Sequence, residues 1–515
     1  MPRLAPPLRA LAAAGLCLAS GLALAACGSQ LEPETVAQVG GATGGTGGGV
    51  TGVDAGTGIP GGGAPDRAGG SSGTGTTGGS GSAITGGSGG SGGSTGGGAT
   101  PGGGGASGGT AGGGGGAGGG GKQGSGENAA AGAGEAGSCD GFQNQTGVTD
   151  TTITLANISD ISGPVPGIFE SAQQATRAYA EYFNSTGDIC GRKLAVQLLD
   201  SRADAGADQQ GYTQACEQAF AAVGSMSAFD SGGAATAQGC GLPDIRSATT
   251  TPERRDCATC FAAQAVDPGL INGAMPKFFL EKYADATQHA AVIYINAGAA
   301  AVNAEMFRNA YTAAGWKVDY YQGIDVAEFN YAPYVQQLKD KGIELVTYTG
   351  PYQNTVKLLQ AMQQQGYRPD AFVQDATIYD QRFVEEAGEL GNGVYTWSTT
   401  KLFDDFSVKE MALYRSWLDQ VKPGAIPNFF GLYAWSAARL FVEQAVGLGG
   451  KLTRETLVSA MAGVEDWTGN GLHVPQQVGA KTTANCGSVL QLNDGTWSQV
   501  SPGEYLCGDL LKGTG

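Results

Sequence analysis

Asp230-Ser231-Gly232-Gly233 is the stretch of this 515-residue chain that looks most like reactive chemistry. A serine between an acid and two glycines suits an activated nucleophile, but such a serine needs a base. The chain holds two histidines, His289 and His473. His289 precedes an expected strand in a later series of elements and His473 falls in a late loop, so a hydrolase built on Ser231 is the weaker reading. Two histidines also exclude a His-rich metal centre, and no metal or other cofactor is expected. A better fit puts Ser231 after a short strand at 227–229 and at the N-cap of a helix running from Gly232 to about Gly239. Free backbone N–H groups and the helix dipole at such a start favour an anion such as a carboxylate. The serine hydroxyl there either caps the helix or reaches a ligand.

Arg246-Ser247-Ala248-Thr249-Thr250-Thr251-Pro252 is the second candidate. It follows a short apolar segment, 242–245, that reads as the end of a fourth strand, so its hydroxyls would border the Ser231 site. The elements that must position both loops repeat as β-branched run, turn and helical stripe. A first series has strands at 153–158 and 194–199, and helices opening at Gly163 and covering 204–223. The stripe Phe169, Ala172, Thr176, Tyr179, Phe183 follows the helical period in the first helix. A second series has strands at 290–295, 317–321, 345–348, 371–374 and 393–397, with helices at 300–314, 332–341 and 354–365. Such alternation predicts an α/β protein with parallel sheets covered by helices, and two series predict two doubly wound lobes. The apolar helix 429–446 is expected to return the chain to the first lobe. In open α/β sheets ligands sit outside the carboxyl ends of the strands, so two lobes facing each other define a cleft for a small molecule.

Composition sets the rest of the frame. Of 91 glycines, 49 fall between Gly40 and Ser138, with no three-residue period and too few apolar residues to hold a core, so this tract is expected to be disordered. The formal net charge is -17, which argues against nucleic-acid partners and anionic membrane surfaces. Arg3 and Arg9 precede an apolar run, 11–26, shorter than the ~20 residues that span a bilayer. Leu24-Ala25-Ala26-Cys27 resembles the lipobox of bacterial lipoproteins, which implies a signal peptide at 1–26 and a lipidated Cys27. The 27–138 tract then serves as a tether with a reach of roughly 55–65 Å. Eight later cysteines suit disulfides in an exported protein. Cys216 with Cys240, and Cys486 with Cys507, are the preferred pairs. Cys257 and Cys260 lack a second CxxC to complete a zinc site and read as a short structural disulfide.

Several motifs in order resemble the leucine-binding-protein-like family, the solute-binding components of branched-chain amino-acid ABC transporters. They are Asp160-Ile161-Ser162-Gly163-Pro164, then Tyr182-Phe183-Asn184 through Gly191-Arg192-Lys193-Leu194, then Ser231-Gly232-Gly233-Ala234 and Ser247 to Pro252. Gly350-Pro351-Tyr352 and Gln374-Asp375-Ala376 follow in the second series. The resemblance spans about 148–500 and implies a type I periplasmic-binding-protein fold. It implies lobe 1 at about 148–268 plus 425–515, lobe 2 at about 269–424, and both within a 139–515 domain. It also implies ligand contacts from Ser231, Gly232, Ala248 and Thr250, an aromatic contact from Tyr352, and an ammonium partner in Asp375. The loop Asn296-Ala297-Gly298-Ala299-Ala300 lacks the family's frequent tyrosine, and Ile168-Phe169 replaces another Tyr-Gly pair, which moves specificity away from standard branched-chain amino acids. Tyr294, Tyr379 and Trp397 suit a core as well as a cleft. The expectation is a lipid-anchored, monomeric, non-enzymatic protein outside the cytoplasm, capturing an amino acid, amide or related carboxylate for an ABC permease. The alternative is a ligand sensor without transport.

Overall fold

The computed structural model describes residues 136–513. The expected signal peptide, the expected lipidation site Cys27 and nearly all of the expected tether lie outside the described residues.

Two series of strand and helix build two parallel sheets. The first runs β1 (Thr152–Ser159), α1 (Glu170–Thr186), β2 (Lys193–Asp200), α2 (Ala205–Gln218), β3 (Ala221–Val223), α3 (Ser231–Gly239), β4 (Asp244–Ala248), α4 (Pro252–Asp256) and β5 (Cys260–Gln264). Its five strands lie parallel in the order β2-β1-β3-β4-β5. After β6 (Leu270–Asn272) and α5 (Ala274–Lys282), the second series follows. It comprises β7 (Ala290–Ile295), α6 (Gly298–Ala313), β8 (Val318–Ile324), α7 (Ala332–Asp340), β9 (Leu345–Thr349), α8 (Tyr352–Gln364), β10 (Ala371–Gln374), α9 (Gln381–Ala387) and β11 (Val394–Ser398). These strands lie parallel in the order β8-β7-β9-β10-β11.

The C-terminal part then serves both sheets. Helices α10 (Lys409–Val421), α11 (Phe429–Leu448) and α12 (Arg454–Met461) follow, with α10 and α11 packed on α1 and α11 also on β4. Helix α11 is apolar nearly all round because it is buried nearly all round. Its Trp435 meets Tyr179 edge-on at 4.8 Å and donates from Nε1 to Glu410 at 2.8 Å, so the large ring is packed and its polar atom satisfied.

Within the 425–515 segment, expected to return to the first lobe, α11 packs on the first sheet while the strands pair elsewhere. Strand β12 (Cys486–Asn493) runs antiparallel to β11 at the edge of the second sheet, and β13 (Thr496–Gln499) pairs with β12 in turn. Two further short strands, β14 (Leu506–Cys507) and β15 (Leu510–Lys512), pair with β12 and β6. The expected strand at 227–229 is a turn. The third strand lies earlier, at Ala221–Val223, where the sequence reads as the end of a helix. Two alanines favour helix intrinsically, but pairing with β1 and β4 on both sides overrides that preference.

Four disulfides are present among the described residues: Cys139–Cys190, Cys216–Cys240, Cys257–Cys260 and Cys486–Cys507. Three of these pairs agree with the sequence reading. Cys139–Cys190 ties the start of the described chain to the turn before β2 across 51 residues of sequence. By chain entropy alone, closing such a loop is worth about 4 kcal/mol.

Candidate functional site

A cavity of about 320 Å³ opens where the carboxyl ends of both sets of parallel strands meet. The first sheet contributes Asp160 after β1, Met226 after β3, Ala248 and Thr250 from the end of β4, and Gln264 from β5. The second contributes Ile295 of β7, Thr349 and Gly350 at the end of β9, Asp375 after β10 and Trp397 of β11. Helix α6 adds Ala300, Met306, Phe307 and Tyr311, and α11 adds Phe429 and Phe430. The walls are mainly apolar, with a few polar groups at fixed points, as ligand pockets usually are.

Asp375 is the sharpest of those points. Its carboxylate accepts from the amides of Gly350 at 3.1 Å and Thr377 at 2.9 Å. Burial outweighs these bonds and pushes its pKa up to about 6. Gly350 makes the close approach possible, since a β-carbon there would press into Ile295. Asp160 accepts from the Ser201 hydroxyl at 2.5 Å and from the amides of Ala203 and Ala228, and burial raises its pKa as well.

The sequence candidates divide. Ala248, Thr250 and Asp375 line the cavity together, whereas Ser231, Gly232 and Tyr352 do not. Asp230, not Ser231, occupies the cap position of α3, and Ser231 is the helix's first residue. The glycines of this start serve packing: a β-carbon on Gly232 would run into the Ala205 carbonyl, and one on Gly233 into the Tyr212 ring. The Gly233 amide donates to Asp208 at 2.8 Å, so the anion that the helix start favours is the chain's own. Tyr352 opens α8 but turns toward α9, its hydroxyl donating to Glu386 and its ring near Arg382. Of the three further aromatics, Trp397 lines the cavity and Tyr294 and Tyr379 do not. The sequence reading missed the apolar wall of Met226, Met275, Met306, Phe307 and Phe430.

Neither histidine serves Ser231. His289 pairs with Asp319 at the surface at 3.2 Å. His473 is buried, bonded to the Ser436 hydroxyl and the Val474 carbonyl, and burial pushes its pKa down to about 4.

Behind the first-lobe loops lies a fully buried ionic cluster. Arg254 donates to Asp208 at 3.0 Å, to Asp244 at 2.9 Å and to the Asp230 carbonyl at 2.8 Å, and its guanidinium lies over the Tyr212 ring. Arg246 pairs with Asp244 and Asp230. Asp230 in turn accepts from the Thr250 amide at 3.0 Å and the Thr251 hydroxyl at 2.6 Å, so the cluster holds the cavity-lining loop in place. Desolvation outweighs Arg254 at Asp208 and lifts its pKa to about 6. At Glu443, beside Arg439, burial lifts the pKa to about 7.

These shifts set the pH dependence of stability. Asp208, Asp375 and Glu443 are raised, so each contributes stability that is present at low pH and lost as pH rises through about 6 to 7. His473 is lowered and acts in the opposite direction, losing stability as pH falls from 6.5 toward 4. Three groups outweigh one between pH 7.5 and 5.5, so the melting temperature is expected to rise by a few degrees over that drop. Thermal unfolding followed by circular dichroism at the two pH values checks this; a lower melting temperature at pH 5.5 would contradict it.

Two α/β lobes with one cavity across the carboxyl ends of both sheets define a type I periplasmic-binding-protein fold. The chain belongs to the periplasmic binding protein family, whose family model matches residues 152–496, and within it to the leucine-binding-protein-like group. Among solved structures, a fatty acid ABC transporter substrate-binding protein from Thermomonospora curvata is similar at 17% identity. The match covers 70% of this chain and 94% of that one, with a TM-score of 0.61. The substrate-binding protein LivJ of Streptococcus pneumoniae, a branched-chain amino acid transporter component in complex with isoleucine, is also 17% identical. That match covers 68% of this chain and all (100%) of that one, with a TM-score of 0.58. The leucine-binding protein LivK of Thermotoga maritima is 14% identical over 69% of this chain and 99% of its own, with a TM-score of 0.59. No curated protein sequence matches the chain significantly. The protein is thus a solute-binding protein of the leucine-binding family, of the kind that works outside the cytoplasm. No helix among the described residues is long and apolar enough to cross a membrane.

Proposed function

We propose that this protein is anchored by lipid at Cys27, captures a small molecule between its lobes, and delivers it to the permease of an ABC importer. The observation that carries the reading is the shared cavity, built by the strand ends of both sheets so that neither lobe forms it alone. Closure of such a cleft converts binding into a shape that a permease can recognise. Ala248, Thr250 and Asp375, which line the cavity, would touch the solute together with Met226, Met306 and Phe430. The solved relatives described as amino-acid and fatty-acid transporter components support transport as the purpose of capture.

A thermal-shift screen of the full chain against amino acids, amides, amines, aromatic acids, fatty acids and sugars tests the reading. A solute at 100 times its dissociation constant adds about 2.7 kcal/mol, a shift of a few degrees in a domain of this size. At least one class is expected to shift the melting temperature. No shift from any class would count against solute capture.

A further inference from the structure

The charge around the cavity is one-sided. Two carboxylates, Asp160 and Asp375, line it, and among the described residues no lysine, arginine or histidine does. Asp160 is held by three donors of its own chain. Asp375 has two amide donors and, among the described residues, no ion-pair partner.

The first-lobe donors that would suit a carboxylate are already taken. The Thr250 amide donates to Asp230, the Thr250 hydroxyl to the Ser227 carbonyl at 3.0 Å, and the Gly233 amide to Asp208. Arg246 and Arg254 hold Asp230 and Asp208 in those places, so a solute carboxylate would have to displace a buried ion pair. Otherwise it would sit in an apolar cavity beside two acids with no counter-charge, which disfavours the ionised form. Two buried groups that line the same cavity lack hydrogen-bond partners among the described residues: the Asn272 side-chain nitrogen and the Tyr348 hydroxyl, in residues 6% and 1% exposed. Both are uncharged donors, and a neutral oxygen satisfies them without bringing a further negative charge into a cavity that already holds two acids.

Building on solute capture as proposed above, we infer that the solute is an amine with an apolar body and no free carboxylate. Its ammonium pairs with Asp375, its body lies against Met226, Met306, Phe307 and Phe430, and a neutral oxygen, where present, takes the Asn272 nitrogen. The titratable groups that interact with Asp375 are Tyr311 of α6 and Tyr348 of β9, both raised by burial and neutral across physiological pH. Asp160, the other acid of the cavity, is also raised. With Asp375 at about 6, a proton competes with the ammonium as pH falls, so amine affinity weakens from pH 7.5 to 5.5.

Calorimetric titration of the full chain with two matched series tests this: phenylalanine, phenylalaninamide and phenethylamine, then leucine, leucinamide and isoamylamine. In at least one series the amide and amine are expected to bind tenfold or more tighter than the amino acid. Asp375→Asn is expected to weaken the amine at least tenfold, and pH 5.5 to weaken it in the unaltered protein, a readout that needs no variant. An amino acid that binds as tightly as its amide overturns the inference and leaves solute capture standing. Absence of binding by all six probes also overturns it, and the broader screen then decides solute capture separately.

Discussion

Arg254→Ala is expected to cost about 3–5 kcal/mol of folding stability, the range for stripping one partner from a buried ion pair. The side chain is fully buried and its guanidinium serves two carboxylates and the Asp230 carbonyl. Without it Asp208 keeps the Gly233 amide and loses its direct counter-ion, and Asp244 keeps only Arg246 and the Tyr212 hydroxyl. The loss should depend on pH. Asp208 already titrates near 6, and removing Arg254 raises it further, so the variant's deficit is largest above pH 7 and shrinks as Asp208 takes up a proton. Urea unfolding of the two proteins at pH 7.5 and 5.5 reads both effects. A deficit under 1 kcal/mol at pH 7.5, or one that grows on acidification, would contradict the role given to the cluster. Because Asp230 holds Thr250 and Thr251, partial loosening of the cluster also loosens the loop at the cavity.

Ala300→Trp is expected to abolish solute binding, a loss of at least a hundredfold, with little change in melting temperature. Ala300 sits in the first turn of α6, half-buried and lining the cavity, so an indole there enters space meant for the solute instead of displacing core. The cavity walls are mainly apolar, so the ring finds apolar surface there, which offsets part of the strain. Calorimetry with the best solute of the screen, beside a melting curve, separates occlusion from unfolding. Unchanged affinity in a folded variant would place the solute elsewhere.

How far the sequence carries depends on which interactions set each element. Ala290–Ile295 and Ala371–Gln374 are found at their boundaries because buried parallel strands read as unbroken apolar runs between polar turns. The helix at Phe429–Leu448 is equally plain, being apolar nearly all round. Strand β12 is not legible in the same way. Cys-Gly-Ser-Val-Leu-Gln-Leu-Asn has mixed polarity, and only its pairing with β11, ninety residues earlier in the chain, makes it part of the second sheet. The site divides along the same line. Asp375 announces itself as an acid after a strand, and the Thr250 loop as a hydroxyl cluster at a strand end. The glycines at 232 and 233 suggest an anion site by type, but they exist so that α3 can lie close to α2. Met226, Met306 and Phe307 stay hidden because an apolar cleft and an apolar core use the same residues.

The cluster, the loop and the cavity form one chain of dependence. Buried arginines fix the aspartates, Asp230 fixes the Thr250 loop, and that loop with Asp375 frames the polar end of an apolar chamber. A crystal structure of the full chain grown with the best solute of the screen shows whether the chamber holds it. Solute density is expected between Ala248 on one lobe and Ala300 and Asp375 on the other. Density in the second-lobe groove beside Tyr367, Arg368 and Glu389, with the chamber filled by water alone, would contradict it.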